Sequence, residues 1–149
     1  MQPIAALRLI YSFGEDKMIS VITPAHNEEL FIKKCLCSVK AAAKEVSEEV
    51  EHVVVLNRCT DRTGEIAGEW GARVITDDSR NLSRIRNKGV EVSKGDILMT
   101  IDADSILLGT QWLFTGFLRE IKNKRIGFIM MQGKPLPNQS TQPIAKKML

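Results

Sequence analysis

The chain is poor in several features that would place it in large protein classes. Its 149 residues hold only three cysteines, Cys35, Cys37 and Cys59, an odd and unpatterned set. No Cys/His spacing resembles a zinc site, so the thiols read as reduced cysteines of a cytosolic protein, with no disulfide framework. The net charge is only +3, which points to no nucleic-acid partner; an acidic ligand would need a local basic cluster instead. No apolar run approaches the length of a membrane span, and no internal repeat is present. What remains is ordinary for a soluble globular domain, 44% hydrophobic and 26% charged. The length suits one domain with a real core and is short for two.

Residues 1–17 stand apart. Their apolar pieces, Ile4-Ala5-Ala6-Leu7 and Leu9-Ile10-Tyr11, are interrupted by Arg8, and no basic region precedes them, which argues against a signal peptide. They read as an N-terminal extension upstream of Met18; a short helix on the body or a membrane-surface contact are the other readings. The location expected is cytoplasmic, with peripheral association at the cytoplasmic membrane face left open.

From Met18 onward strand and helix patterns alternate. Met18 to Thr23 predicts a strand that stops at Pro24, which lacks an N–H for sheet pairing. Asn27 is placed to cap a helix with Ile32, Leu36, Val39, Ala43 and Val46 on one stripe. His52 to Leu56 predicts a second strand. Thr60 or Asp61 would cap a helix carrying Ile66, Ala67 and Trp70, and Ala72 to Thr76 a third strand. Asn81 to Val92 reads as a helix buried through Leu82, Ile85, Gly89 and Val92, before a fourth strand, Asp96 to Ile101. A helix from Thr110 and a fifth strand, Ile126 to Met131, complete the pattern; residues 132–149 read as an irregular tail. Strands built of Val, Ile, Leu and Met are buried on both faces, as in parallel sheets covered by helices. The expectation is an α/β, doubly wound, mostly parallel sheet.

In such sheets ligands bind outside the carboxyl ends of the strands. The unusual polar groups fall there: Pro24-Ala25-His26-Asn27-Glu28 after the first strand, Asn57-Arg58-Cys59-Thr60-Asp61 after the second, Asp102-Ala103-Asp104 after the fourth. Along an extended chain Asp102 and Asp104 face the same way. Two like charges so close repel unless a cation or hydrogen-bond donors compensate. A hard cation such as Mg2+ or Mn2+ takes oxygen ligands and leaves positions for substrate phosphates. A strand-end turn using aspartates for local hydrogen bonds is the plainer alternative. Arg84, Arg86 and Asn87, off the apolar stripe of the preceding helix, add donors. Together these groups suit a nucleoside diphosphate.

Four stretches, Ser20–Glu28, Cys59-Thr60-Asp61-Arg62-Thr63, Arg84-Ile85-Arg86-Asn87-Lys88-Gly89 and Asp102-Ala103-Asp104, resemble in order and spacing the inverting glycosyltransferases of family 2, built on the GT-A fold. The resemblance runs from about Met18 to about Met131. It implies a nucleotide-sugar-binding domain over 18–131 that transfers a sugar from a nucleotide donor, most often UDP-linked, to an acceptor hydroxyl with a divalent metal. By the same resemblance Pro24, Ala25 and Ala103 line the nucleoside pocket, His26 stacks on the base and Glu28 approaches the uridine. Arg84 and Arg86 contact nucleotide or phosphate, Asp102 faces the ribose, and Asp104, with Asp102 beside it, holds the Mg2+ or Mn2+. The plainer readings are a loop histidine bonded to backbone, a solvated glutamate and two solvated arginines.

Two departures stand out. Where the family commonly has an aspartate that recognises uracil, this chain has Leu56, so either Asn57 substitutes or GDP becomes an alternative to UDP. The family's general base is an acidic residue well beyond the Asp-x-Asp turn, and no Asp or Glu follows Met131. An acceptor hydroxyl needs a positioned base. No catalytic base is therefore assigned, and the chain is expected to carry the donor-binding half of a longer, C-terminally truncated enzyme. The acceptor would be a lipid, polysaccharide or protein. A non-catalytic nucleotide-sugar-binding module is the alternative. A nucleotidyltransferase fits poorly, because Ala25-His26-Asn27-Glu28-Glu29 is not a glycine-rich, basic phosphate loop.

Overall fold

A computed structural model of the protein describes residues 18–107 and 134–135. Four strands, β1 (Met18–Ala25), β2 (Glu49–Leu56), β3 (Arg73–Thr76) and β4 (Ile97–Thr100), form one sheet in the order β3-β2-β1-β4. Every pairing in it is parallel. The crossovers are helices α1 (Ile32–Ala43), α2 (Thr63–Glu69) and α3 (Leu82–Val92). The expected α/β architecture is present, and the sheet reverses its winding at β1, between β2 and β4.

Alternation along the strands sorts the core into two faces. Ile19, Val21 and Met99 pack with Cys35, Val39 and Ala42 of α1, and Val54 with Leu36 of α1 and Ala67 of α2. On the other face Ile22, Val53 and Val55 meet Ile85 of α3. Gly89 brings α3 down onto that face, since a Cβ there would run into Ile22 and Val55.

Pro24 does not end β1, which continues to Ala25 opposite Leu56. Pairing with β4 stops at Ile22, whose carbonyl accepts from Ile101 N, whereas Ala25 O accepts from Asn57 N on the β2 side. Even-numbered residues of β1 thus address β4, and the missing N–H of Pro24 falls on that edge. The proline parts β1 from β4 alone, which opens a crevice at the switch point.

Asn27 does not cap α1. It adopts φ 53 and its Oδ1 accepts from Thr60 N at 2.7 Å, tying the loop after β1 to the loop after β2. The helix begins a turn later, at Ile32, after Phe31 and Ile32 donate to Glu28 O. Asp61 precedes α2 and accepts from Thr63 N at 3.0 Å, and Asn81 caps α3 through Ser83 N and Arg84 N. Leu82 is 50% exposed, not buried. The tail read as irregular supplies Lys134–Pro135 to an antiparallel ladder with Ser105–Ile106, β6 with β5. A two-residue ladder is too short for alternation to reveal. The predicted helix from Thr110 and strand Ile126 to Met131 lie outside the described residues.

Candidate active site

A cleft of about 390 Å³ opens over the carboxyl ends of β1, β2 and β4. Its lining includes Pro24, Ala25, His26, Glu28, Asn57, Arg86, Asp102, Ala103 and Asp104, so every residue given a nucleotide or metal role above is there except Arg84; Asn87, offered as a further donor, is not in the lining. Arg84 is exposed and acts on Asp77, whose carboxyl is held down first by hydrogen bonds from Ser79 and then by the charges of Arg84 and Lys88. The α-helical turn explains the split: Arg84 and Arg86 lie two residues apart, about 200° around the axis, so only one can face the sheet's rim.

Arg86 Nη2 donates to Asp102 Oδ1 at 2.9 Å, while its buried Nε has no hydrogen-bond partner. Asp104 is half-buried and forms no ion pair with a described residue; Ser105 Oγ lies 3.4 Å from its Oδ1. Glu28 feels these carboxylates. Its pKa is raised, first by burial and then by Asp104 and Asp61, against an opposing pull from His26. A carboxyl group whose proton is held on partly by neighbouring carboxylates marks a place where a cation is electrostatically favoured.

His26 Nδ1–H donates to Asn57 O at 2.6 Å. The ring is thus bonded to backbone and lines the cleft at once, leaving Nε2 as the atom available to a ligand. Asn57 is a scaffold. It is 5% exposed, and Nδ2 donates to Asp77 O at 2.7 Å and Ser79 O at 2.5 Å, locking the loop after β2 to the loop after β3. Its Oδ1 accepts from Arg58 Nε at 3.1 Å. Leu56 turns away from the cleft toward Gly64 and the α2 core.

Among the described residues no group of three or more His, Cys, Asp or Glu side chains converges to hold a metal on protein ligands alone. The oxygen chemistry nevertheless fits a hard cation: Asp104 forms no ion pair among the described residues, and of the described charges acting on Glu28 only His26 opposes the carboxylates. Such a cation would take its remaining ligands from a diphosphate and water, as Mg2+ commonly does. Cys35 is no nucleophile. Burial pushes its thiol up to about 12.

The family model for glycosyl transferase family 2 matches residues 20–130, most of the chain. The chain belongs to glycosyl transferase family 2. Among the relatives of this family 2 chain is the low-salt glycan biosynthesis hexosyltransferase Agl6 of Haloferax volcanii, 41% identical over 86 residues, 58% of this chain and 21% of that protein. Glycosyltransferase AglE of the same organism is 36% identical over 104 residues, 66% of this chain and 34% of that protein. Among solved structures, glucosyl-3-phosphoglycerate synthase from Mycobacterium tuberculosis, in complex with Mn2+, UDP and glucosyl-3-phosphoglycerate, superposes with a TM-score of 0.58 at 25% identity. That match covers 75% of this chain and 41% of the synthase. The fold is that of the GT-A glycosyltransferases. The family 2 chain spans about a fifth to a third of these curated relatives. No helix among the described residues is long and apolar enough to cross a membrane.

Arg58, Arg80 and Leu82 also line the family 2 cleft; none of them was assigned a ligand role from the sequence, Arg58 standing only within a rim stretch and Leu82 only as a helix position expected to be buried. Arg80 and Leu82 flank the Asn81 cap, where the pattern signals only a helix start. Arg58 sits between a buried asparagine and a cysteine with no periodicity to mark it. The available signal was position alone: Arg58 and Arg80 lie in loops at the carboxyl rim, and Leu82 opens α3 beside them.

Proposed function

We propose that this chain binds the donor in an inverting glycosyltransferase that moves a sugar from a UDP- or GDP-linked donor to an acceptor hydroxyl, with Mg2+ or Mn2+. The observation that carries this reading is the meeting of Arg86, Asp102, Asp104 and Glu28 in one cleft where β1 parts from β4. A topological switch point is where a doubly wound sheet receives a nucleotide. The family's name and the Mn2+- and UDP-bound synthase support the same reading.

In this reading Asp104 holds the metal and Arg86 donates to the diphosphate through N–H groups that Asp102 leaves over. Asp102, oriented by Arg86, accepts from the ribose hydroxyls. The bound metal supplies Lewis-acid stabilisation of the charge that develops on the leaving diphosphate. His26 and Leu82 present a flat ring and an apolar surface to the base. Inversion follows from attack on the face of the sugar opposite the diphosphate. The base that takes the acceptor's proton is assigned to no residue of this chain.

Thermal unfolding with UDP-sugar or GDP-sugar, with and without Mn2+, tests it. A ligand at a hundred times its Kd stabilises the native state by about 2.7 kcal/mol. A metal-dependent rise in Tm that chelator reverses is expected; no rise with either donor would overturn the reading.

A further inference from the structure

Two residues other than glycine have positive φ among the described residues, Asn27 at 53° and Arg58 at 49°, and both stand at strand ends on the rim. Asn27 is explained by its bonds to Thr60. For an arginine the left-handed region is disfavoured, because the Cβ crowds the following carbonyl, and nothing in the turn requires that residue type. What the turn does is aim a guanidinium. Arg58 N donates to Asp78 Oδ1 at 3.1 Å and Arg58 Nε to Asn57 Oδ1 at 3.1 Å. Asn57 is in turn fixed through Asp77 O and Ser79 O. Backbone and Nε are thereby pinned, while both Nη groups have no partner among the described residues and the side chain lines the cleft.

The place of Arg58 along the rim says which part of a nucleotide it meets. Asp104 follows β4, Arg58 follows β2, and β1 lies between them. Neighbouring strands are about 4.8 Å apart, so the two ends are separated by about 10 Å. A nucleoside diphosphate laid along the rim spans a comparable distance. With its diphosphate at Asp104, its base reaches the end of β2.

We propose that Arg58 reads the nucleobase and selects guanine, so that the donor is a guanosine diphosphate sugar. This rests on the cleft being the nucleotide-sugar site. A planar fork needs two adjacent acceptors, and guanine presents them as O6 and N7, the commonest specific partner of arginine on a base. Uracil presents two carbonyls separated by an N3–H donor. The Nη fork therefore finds only one acceptor at a time on uracil, against two adjacent ones on guanine.

Calorimetric titration of the chain with GDP, UDP and CDP, each with Mn2+, tests the proposal. GDP is expected to bind about tenfold or more tighter than UDP or CDP. Arg58→Lys keeps the charge and loses the fork, so it should weaken GDP selectively and erase the preference. UDP or CDP binding as tightly as GDP overturns guanine selection while leaving the donor site intact. Equal weakening of all three nucleotides by Arg58→Lys would also overturn it, marking Arg58 as a phosphate contact. Binding of none of the three would remove the nucleotide reading of the cleft together with this one.

Discussion

Arg86 Nη2 and Asp102 Oδ1, 2.9 Å apart, join helix α3 to the turn after β4 across the parted edge of β1. Their side chains are 34% and 59% exposed, and ion pairs this open contribute roughly 0–1 kcal/mol to stability. The pair is therefore poorly explained as a fold element and well explained as a ligand-facing one. Asp102→Asn should lower the free energy of unfolding in urea by less than about 1 kcal/mol. It should weaken GDP or UDP binding, measured by calorimetry, by about tenfold, equivalent to about 1.4 kcal/mol. A variant that loses its fold would assign the pair to stability instead.

Asp104 is expected to behave differently. It has no cationic partner to strand among the described residues, so Asp104→Asn should leave the melting temperature of the free protein unchanged or slightly raised, by relieving repulsion with Glu28. The increment in nucleotide affinity supplied by Mn2+ should disappear, while the metal-free affinity persists. Titrations in Mn2+ and in chelator separate the two. A mutant that keeps the Mn2+ increment would move the metal elsewhere.

The contrast between these carboxylates and their neighbours shows what a sequence carries. Asp102 and Asp104 were legible because an apolar strand runs straight into them. But β4 ends at Thr100 and both lie in a turn closed by Ser105 N on Asp102 O, so the alternation expected of an extended chain does not set their facing. The core was legible from periodicity: Ile22, Val53, Val55 and Ile85 lie where strand and helix periods put them. Pro24 misled because a proline breaks pairing on one edge only, and which edge depends on strand order, a non-local fact. Asn27 misled because its partner, Thr60, is distant in sequence. Asn57 and Arg58 show the same limit. Whether an amide recognises a base or holds a loop is decided by carbonyls twenty residues away.

Glu28 gives the cleft a pH signature. Its pKa is raised in the folded chain, by burial and then by Asp104 and Asp61. The folded state therefore holds this proton more tightly than the unfolded chain does. The resulting stabilisation is complete below the unfolded value of 4.5 and is lost as pH rises through the raised folded one. At neutral pH the ionised carboxylate is a net cost, so Glu28→Gln should raise the melting temperature at pH 7 and converge with the parent in acid. Mn2+ compensates the same charge, so parent and variant should differ less when metal and nucleotide are bound. A lower melting temperature for Glu28→Gln at pH 7 would contradict the assignment.

His52 works with the opposite sign. Burial lowers its pKa from 6.5 to about 4, and its Nε2 shares a 2.7 Å hydrogen bond with the buried hydroxyl of Thr23. The unfolded chain takes up the proton first as pH falls. Stability from the neutral ring is thus fully present above about pH 6.5 and is lost between there and about pH 4, to the extent of roughly 3 kcal/mol. His52→Gln retains a hydrogen-bonding partner for Thr23 and has no proton to gain. Its urea stability should be flatter than the parent's over that interval, and equal slopes would remove His52 as the source.

Gly89 couples the fold to the cleft. It lies on the buried face of α3, one turn after Arg86 approaches Asp102, and a Cβ there would meet Ile22 and Val55. Those side chains are fully buried in the sheet and have little room to give. Overpacking of this kind costs about 1–3 kcal/mol, and here the relief available is for α3 to lift away from β1 and β2. Lifting the helix carries Arg86 outward from Asp102. Gly89→Ala should therefore both lower stability by that amount and weaken nucleotide binding, although residue 89 lines no part of the cleft. Gly68→Ala is the matched control, since a Cβ there meets nothing within 4 Å; it should be neutral or stabilising, with unchanged affinity. If Gly89→Ala destabilises the chain but binds nucleotide as the parent does, the seating of α3 does not set the position of Arg86.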